Sequence, residues 1–284
     1  MINKLCIIGV GLIGGSLARA LKHAEMVNHI VGVGRNIESL IKAKQLGVID
    51  SYSDNIAEAV VDADVILIAV PVGSIKGVFS ALRSHLKSDA VITDVGSVKG
   101  SVVLASREVF GEDYKNFVPG HPIAGTEQSG VEASFAELYR GQRVILTPLE
   151  STDSRAIKIV SEMWQAAGAE VTSLGIEHHD EVLAATSHLP HVLAYALVDT
   201  LASVHERREV FQFAAGGFKD FTRIASSHPD MWHDICLNNK DALVDMLKRF
   251  TVDLNKLTKA IEDGDGDFIK QTFERAKTTR DQFC

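Results

Sequence analysis

Four short segments gather side chains that can move protons or hold anions. Asp94-Val95-Gly96-Ser97-Val98-Lys99 offers a hydroxyl and an ammonium directly after an apolar run. Loops at the carboxyl ends of parallel strands line the ligand crevice, so Ser97 and Lys99 are expected to project there. Pro119-Gly120-His121-Pro122-Ile123-Ala124-Gly125-Thr126-Glu127 places a histidine between glycine and proline. That reads as a loop rather than a core position, and imidazole is the side chain that can be neutral yet basic near neutral pH. Ser187-His188-Leu189-Pro190-His191 sets two histidines and a serine inside an apolar helical stretch, which suits a polar cavity and equally a pair of satisfied core histidines. In Gly216-Gly217-Phe218-Lys219-Asp220-Phe221-Thr222-Arg223, the arginine follows Asp220 by three residues. The two can share a helix face, either as a surface ion pair or as a guanidinium oriented to clamp a carboxylate.

A fifth segment binds rather than reacts. Gly9-Val10-Gly11-Leu12-Ile13-Gly14 follows an apolar run and opens a helical pattern. Glycines at this spacing allow a tight strand-to-helix turn and close approach of backbone N–H groups to a pyrophosphate at the helix N-terminus. Its context between strand and helix separates it from a ligand-free glycine turn. Gly9, Gly11, Leu12, Ile13 and Gly14 are therefore candidate cofactor residues, with Val70 and Pro71 at the end of the strand ADVILIAV. The expected cofactor is NAD or NADP. The second strand ends Gly32-Val33-Gly34-Arg35-Asn36, with no carboxylate at the corner. Arg35 stands where a guanidinium can meet a 2′-phosphate, which favours NADP or dual use; stacking on adenine or lying in solvent is the alternative.

The elements that must carry these segments are legible from periodicity. Strands are expected at 5–9, 29–33, 48–52, 63–70, 90–94, 117–118, 143–147 and 170–173, with helices at 14–22, 37–46, 75–85 and 153–167. Such alternation implies a parallel sheet with right-handed crossovers. From Gly175 onward helical periodicity dominates, at 177–204, 206–214, 218–226, 230–261 and 265–283, broken at Gly216-Gly217, Pro229 and Gly264/Gly266. The expected fold class is α/β: an N-terminal Rossmann-type domain over 1–174, then an all-α domain over 175–284. The apolar positions of 177–204 and 230–261 exceed what one thin helical layer should expose, which predicts a homodimer through these helices.

Composition excludes several classes. Apolar residues make up 46% and charged residues 23%, with a net charge of −8. This acidic balance argues against nucleic-acid binding. No stretch approaches the ~20 apolar residues needed to span a bilayer. Cys6, Cys236 and Cys284 form neither a metal pattern nor a disulfide framework; no metal site is expected. With no signal-peptide core at the start, a cytoplasmic protein is expected.

Taken together and in order, the five segments resemble the prephenate/arogenate (cyclohexadienyl) dehydrogenases of tyrosine biosynthesis, nearly end to end from Gly9. The resemblance implies oxidative decarboxylation of a 4-hydroxycyclohexadienyl carboxylate, prephenate or arogenate, with hydride passing to NAD(P)+. It implies His121 as the catalytic group, hydrogen-bonded by Ser97, and Arg223 on the ring carboxylate. It implies His188 and His191 lining the substrate pocket, with Ser187, Gly217, Thr126, Glu127 and Lys99 around it, and a dimerising helical domain. Family members often carry Asp at the end of the second strand, where this chain has Gly34-Arg35. Two rival readings have clear signatures. A β-hydroxyacid or 6-phosphogluconate-type dehydrogenase would place a catalytic Lys and a nearby Asn on the first long helix of the second half, where this chain has the Ser187–His191 segment. A non-catalytic dinucleotide sensor would need the glycine loop but not His121, Ser97 and Arg223 together.

Overall fold

The computed structural model describes residues 1–112, 114–204 and 207–283. The expected helix at 206–214 begins on Glu206, which lies outside the described residues, as does Cys284.

The elements run β1 (Ile2–Ile8), α1 (Leu12–His23), β2 (Val27–Val33), α2 (Ile37–Gln45), β3 (Ser51–Ser53), α3 (Ile56–Ala59), β4 (Val65–Ile68), α4 (Ile75–Leu82), β5 (Val91–Asp94) and α5 (Gly100–Phe110). Then come β6 (Phe117–Val118), β7 (Gly120–Pro122), β8 (Arg143–Leu146), α6 (Ser154–Ala166) and β9 (Glu170–Ser173). The helices α7 (Ile176–Leu183), α8 (Leu189–Ala202), α9 (Arg207–Gln212), α10 (Gly216–Thr222), α11 (Pro229–Asn238), α12 (Lys240–Asp263) and α13 (Gly266–Phe283) follow.

Strands β1 to β6 form one parallel sheet in the order β3-β2-β1-β4-β5-β6, the doubly wound order in which the chain reverses direction between β1 and β4. Alternate residues of a strand face opposite sides. Leu5 and Ile7 of β1 accordingly enter one apolar cluster with Leu17 and Leu21 of α1 and Trp164 of α6. Cys6 and Ile8 enter the other, with Phe79 of α4 and Val102 of α5. Burial on both faces explains why these strands read as continuous apolar runs.

The parallel sheet expected from alternation forms from β1 to β6, and the later strands β7, β8 and β9 add a second, mixed sheet, with β7 antiparallel and β9 parallel to β8. Two elements have no clear sequence signature: β7 is three residues containing a proline, and α5 is rich in β-branched residues that suit strands equally. The third strand begins at Ser51 rather than residue 48, because Val48 and Ile49 are spent on the core before it.

The helical segments are also shorter than their periodicity. The expected helix 177–204 is interrupted by a π-helical turn at Ala184–His188. The expected helix 230–261 is two helices broken at Asn239, whose φ of −111° and ψ of 35° leave the helical region. Gly216 and Gly217 are no break but the first turn of α10. The chain forms two compact units, Met1–Asn239 and Lys240–Cys284; the second is the pair α12 and α13, turned at Gly264 with φ of +70°. Among the described residues, no helix is long and apolar enough to cross a membrane.

Candidate active site

The glycine loop turns between β1 and α1 and opens onto a cleft of about 760 Å³. Gly9 has φ of +101°, and a methyl group there would come within 2.3 Å of the Ala69 carbonyl oxygen. At Gly14 a methyl group would lie 2.5 Å from the Gly9 carbonyl oxygen, so this glycine serves helix-to-strand packing. Gly11 differs: an added methyl group would meet nothing within 4 Å. It is the N-cap of α1 and brings no side chain to cap the first turn. Bare amides facing open space at a helix N-terminus fit a pyrophosphate. Gly9, Gly11, Arg35, Val70 and Pro71 line the cleft together. Leu12 and Ile13 do not line it; their side chains pack into the core, which leaves only their backbone to offer a ligand. Asp54, just after β3, is a carboxylate in the same cleft that the sequence did not single out.

At the carboxyl end of the sheet, a buried ionic lock sets the next elements. Asp94 ends β5, and its carboxylate meets the Lys99 ammonium with neither side chain exposed to solvent. Asp94 also accepts from Gly96 N at 2.8 Å and Gly120 N at 3.1 Å. Lys99 Nζ donates to the Gly120 carbonyl at 2.7 Å. Lys99 therefore does not project into a substrate crevice, as its loop position suggested. It ties β5 to β7, which carries His121. Burial draws its ammonium below the ordinary lysine range, against the pull of Asp94 and Asp180.

His121 is not a loop residue either. It sits in the middle of β7, opposite Ile145 of β8, and is 8% exposed. Its Nδ1 lies 2.9 Å from Nε2 of His179 on α7, and Nδ1 of His179 lies 2.8 Å from Asp180 Oδ1. No hydrogen bond joins Ser97 to His121 among the described residues; His121 Nδ1 is taken by His179. The Asp180 carboxylate further accepts from the amides of Lys99 and Gly100, both at 2.8 Å. Burial pushes Asp180 up, but these hydrogen bonds and that from His179 hold it below the ordinary carboxylate value. Burial, with His179, Lys99 and His188, pushes His121 well below its ordinary value, so its imidazole is neutral.

The π-helical turn presents His188 toward the same interior. Asn239 Nδ2 donates to the Asp180 carbonyl at 2.8 Å and lies 3.0 Å from His188 Nδ1. The amide nitrogen donates to both, so His188 carries its proton on Nε2. That N–H is buried and finds no partner among the described residues. A buried donor left open is costly and marks a place for an acceptor. Burial pushes His188 down to about 4. His191 stacks on Trp232 of α11 with ring centroids 3.7 Å apart, while its Nδ1 bonds the Ser187 carbonyl at 2.8 Å. Trp232 packs with Val98, next to half-buried Ser97.

Arg223 departs from its expected partner. Its guanidinium pairs with Glu127 rather than with Asp220, because α10 ends at Thr222 and Arg223 enters a 3₁₀ turn. Thr126 and Gly217 lie exposed. The structure thus joins His121, Lys99 and His188 in one buried cluster and adds His179, Asp180 and Asn239, which sequence reasoning missed. His179-Asp180 is an unremarkable dipeptide on an amphipathic helix; no local pattern reveals which of 11 histidines meet.

The chain is similar to known proteins over both of its halves. Residues 17–173 match the family described as prephenate dehydrogenase, nucleotide-binding domain. Residues 176–275 match prephenate dehydrogenase, dimerization domain. The chain is 39% identical to the cyclohexadienyl dehydrogenase of Zymomonas mobilis over 282 residues, covering 98% of this chain and 95% of that one. It is 37% identical to the prephenate dehydrogenase of Bacillus subtilis, covering 99% of this chain and 76% of that one. The crystal structure of prephenate dehydrogenase from A. aeolicus in complex with hydroxyphenyl propionate and NAD+ superposes with a TM-score of 0.93 at 38% identity, covering 100% and 99% of the two chains. With both halves matched, and the glycine cradle and buried histidine in place, the chain belongs to the prephenate dehydrogenase family.

Proposed function

We propose that this protein oxidises and decarboxylates prephenate or arogenate, with a nicotinamide dinucleotide as hydride acceptor. The observation that carries the reading is His121: a buried, neutral imidazole on a strand locked to the carboxyl end of the sheet that bears the glycine cradle. Ligands of doubly wound sheets bind at that end.

Gly9, Gly11 and the first turn of α1 would hold the pyrophosphate, and Val70 and Pro71 would flank the dinucleotide. When bound, the dinucleotide accepts the hydride from the ring carbon that bears the hydroxyl. His121 takes the hydroxyl proton as that hydride leaves. Loss of CO2 then makes the ring aromatic, and the proton returns to the phenolic oxygen. Arg223 holds the ring carboxylate by charge-assisted hydrogen bonds, exchanging its contact with Glu127. The open N–H of His188 offers the substrate a buried donor, and Ser187, His191, Thr126 and Gly217 complete the pocket. Ser97, expected from the resemblance to hydrogen-bond His121, would supply its hydroxyl to His121 or to the substrate when the dinucleotide and substrate are bound.

We further assign residues 1–174 to dinucleotide binding and 175–284 to substrate binding and dimerisation, near the boundary at which the two family matches meet. Val252, Leu254, Ile261 and Phe273 of α12 and α13 are exposed apolar residues, which supports a homodimer through these helices. Arg35 supports NADP or dual use. Cys6 and Cys236 as free thiols suit a cytoplasmic enzyme.

The test is dinucleotide reduction with prephenate and arogenate, each with NAD+ and NADP+. At least one pair is expected to turn over. His121→Asn should lower kcat by about 10²–10⁴-fold. No reduction with any pair, or turnover by the variant within about tenfold of the parent, would sink the reading.

A further inference from the structure

We infer that Asp180 and His179 form a relay behind His121: they hold its proton on Nδ1, leave Nε2 as the base, and receive the positive charge when Nε2 is protonated. The inference rests on the reading of His121 as the base and explains how a buried imidazole can serve as one.

The tautomers follow from the acceptor end of the chain. Asp180 accepts from two backbone amides and so keeps its carboxylate. A carboxylate only accepts, so His179 Nδ1, 2.8 Å away, is the protonated nitrogen. In the uncharged form of His179, the form that can receive a proton, Nε2 holds a lone pair. His121 Nδ1, 2.9 Å from that lone pair, must donate. The one proton of a neutral His121 is thereby placed, and its Nε2 is free to accept.

The surroundings say where a further proton's charge can rest. His121 faces His179 from α7, with Asp180 on the far side of that ring, Lys99 from the β5 end, itself paired with Asp94, and His188 from the π-helical turn. Burial and the nearby Lys99 ammonium oppose a charge on His121 itself. The charge of Asp94 is already matched by Lys99. Asp180 meets two neutral amides and His179, and is the carboxylate without a full countercharge. The transfer balances: the substrate O–H bond breaks as its proton joins His121 Nε2. The Nδ1 proton of His121 then passes to His179 Nε2. His179 becomes the imidazolium, its other N–H still on Asp180. Reversal returns the proton to the phenolic oxygen.

His179 and Asp180 are positioning residues, so their test reads more than rate. In His179→Gln, the amide oxygen can still accept from His121 Nδ1 and the amide nitrogen can still donate to Asp180, but the group cannot take a charge. Its kcat should fall about ten- to hundredfold, with KM for substrate and dinucleotide within about threefold, and the acid limb of kcat/KM should move to lower pH as His121 becomes the sole base. Nitrogen NMR of the 15N-histidine-labelled parent gives a second readout that needs no variant to be active. The His121 signals, assigned by their loss in His121→Asn, should show a protonated Nδ1 and an unprotonated Nε2. A His179→Gln enzyme with parental kcat and pH profile overturns the relay, as does a His121 protonated on Nε2. If His121→Asn turns over normally, it is the reading of His121 as base that fails; the NMR result still decides the tautomer.

Discussion

The Lys99 ammonium meets the Asp94 carboxylate with both side chains shut off from water, and the same ammonium holds the Gly120 carbonyl one residue before His121. Breaking such a pair by removing one partner strands a buried charge, which costs about 3–5 kcal/mol. Lys99→Met should therefore lower the stability measured by urea unfolding by that order. Adding Asp94→Asn should recover part of the loss, because no bare charge then remains. A Lys99→Met protein as stable as the parent would mean that the lock does not support the fold.

The glycines of the cofactor loop should separate into folding and binding roles. Gly9→Ala faces both a positive φ and a carbonyl oxygen 2.3 Å from the new methyl group, and should lower the melting temperature sharply. Gly11→Ala meets nothing within the protein. It should melt near the parent temperature but raise KM for the dinucleotide about tenfold or more, since its methyl group occupies the space the pyrophosphate needs. Melting curves and dinucleotide titrations on the two variants check this; equal effects on melting would refute it.

Stability should fall on mild acidification. His188 is depressed from 6.5 to about 4 by burial, so between those values the unfolded chain binds a proton that the folded one refuses. Its contribution is complete above about pH 6.5 and is lost as pH falls toward 4, amounting to about 3 kcal/mol at ~1.4 kcal/mol per unit. His121 acts in the same direction. Asp180, held below its ordinary value of 3.8, contributes stability that is complete above that value and is lost only as pH falls below it, outside this window. Urea unfolding across pH 7 to 4.5 should show the decline, and His188→Gln should flatten it. An unchanged slope in that variant would exclude His188 as its source.

Arg223 should govern substrate rather than dinucleotide. A charge-assisted hydrogen bond contributes about 1.5–3 kcal/mol, so Arg223→Gln should raise KM for the cyclohexadienyl substrate roughly ten- to hundredfold with KM for the dinucleotide nearly constant. Steady-state titration of each substrate in turn measures both. A rise confined to the dinucleotide would remove Arg223 from the carboxylate.

Arg35 should report on the dinucleotide's 2′ position. Arg35→Ala should reduce kcat/KM for NADP+ by about tenfold or more, the scale of one charge-assisted contact, while NAD+ changes little. Parallel loss for both dinucleotides would fit stacking on adenine instead.

The sequence by itself determined what local chemistry can encode. Apolar runs bounded by glycine mark strands buried on both faces, and β1, β4 and β5 form as expected. The Gly9–Gly14 spacing identifies a strand-to-helix turn with open amides, because the demand for absent side chains is met within a few residues. His121, Arg223 and the Ser187–His191 segment stand out for the same local reason, as polar groups where a fold alone does not need them. Tertiary structure alone decided the rest. Whether Lys99 faces substrate or Asp94, whether Arg223 meets Asp220 or Glu127, and which group bonds His121 Nδ1 all depend on residues 5, 96 and 58 positions apart. The second sheet also escaped the sequence, since a three-residue strand has too few residues to show a period and exists only because β8 pairs with it. Hydrogen bonds are selected by distance and angle in the folded chain, and spacing along the sequence constrains these only within one helix or turn.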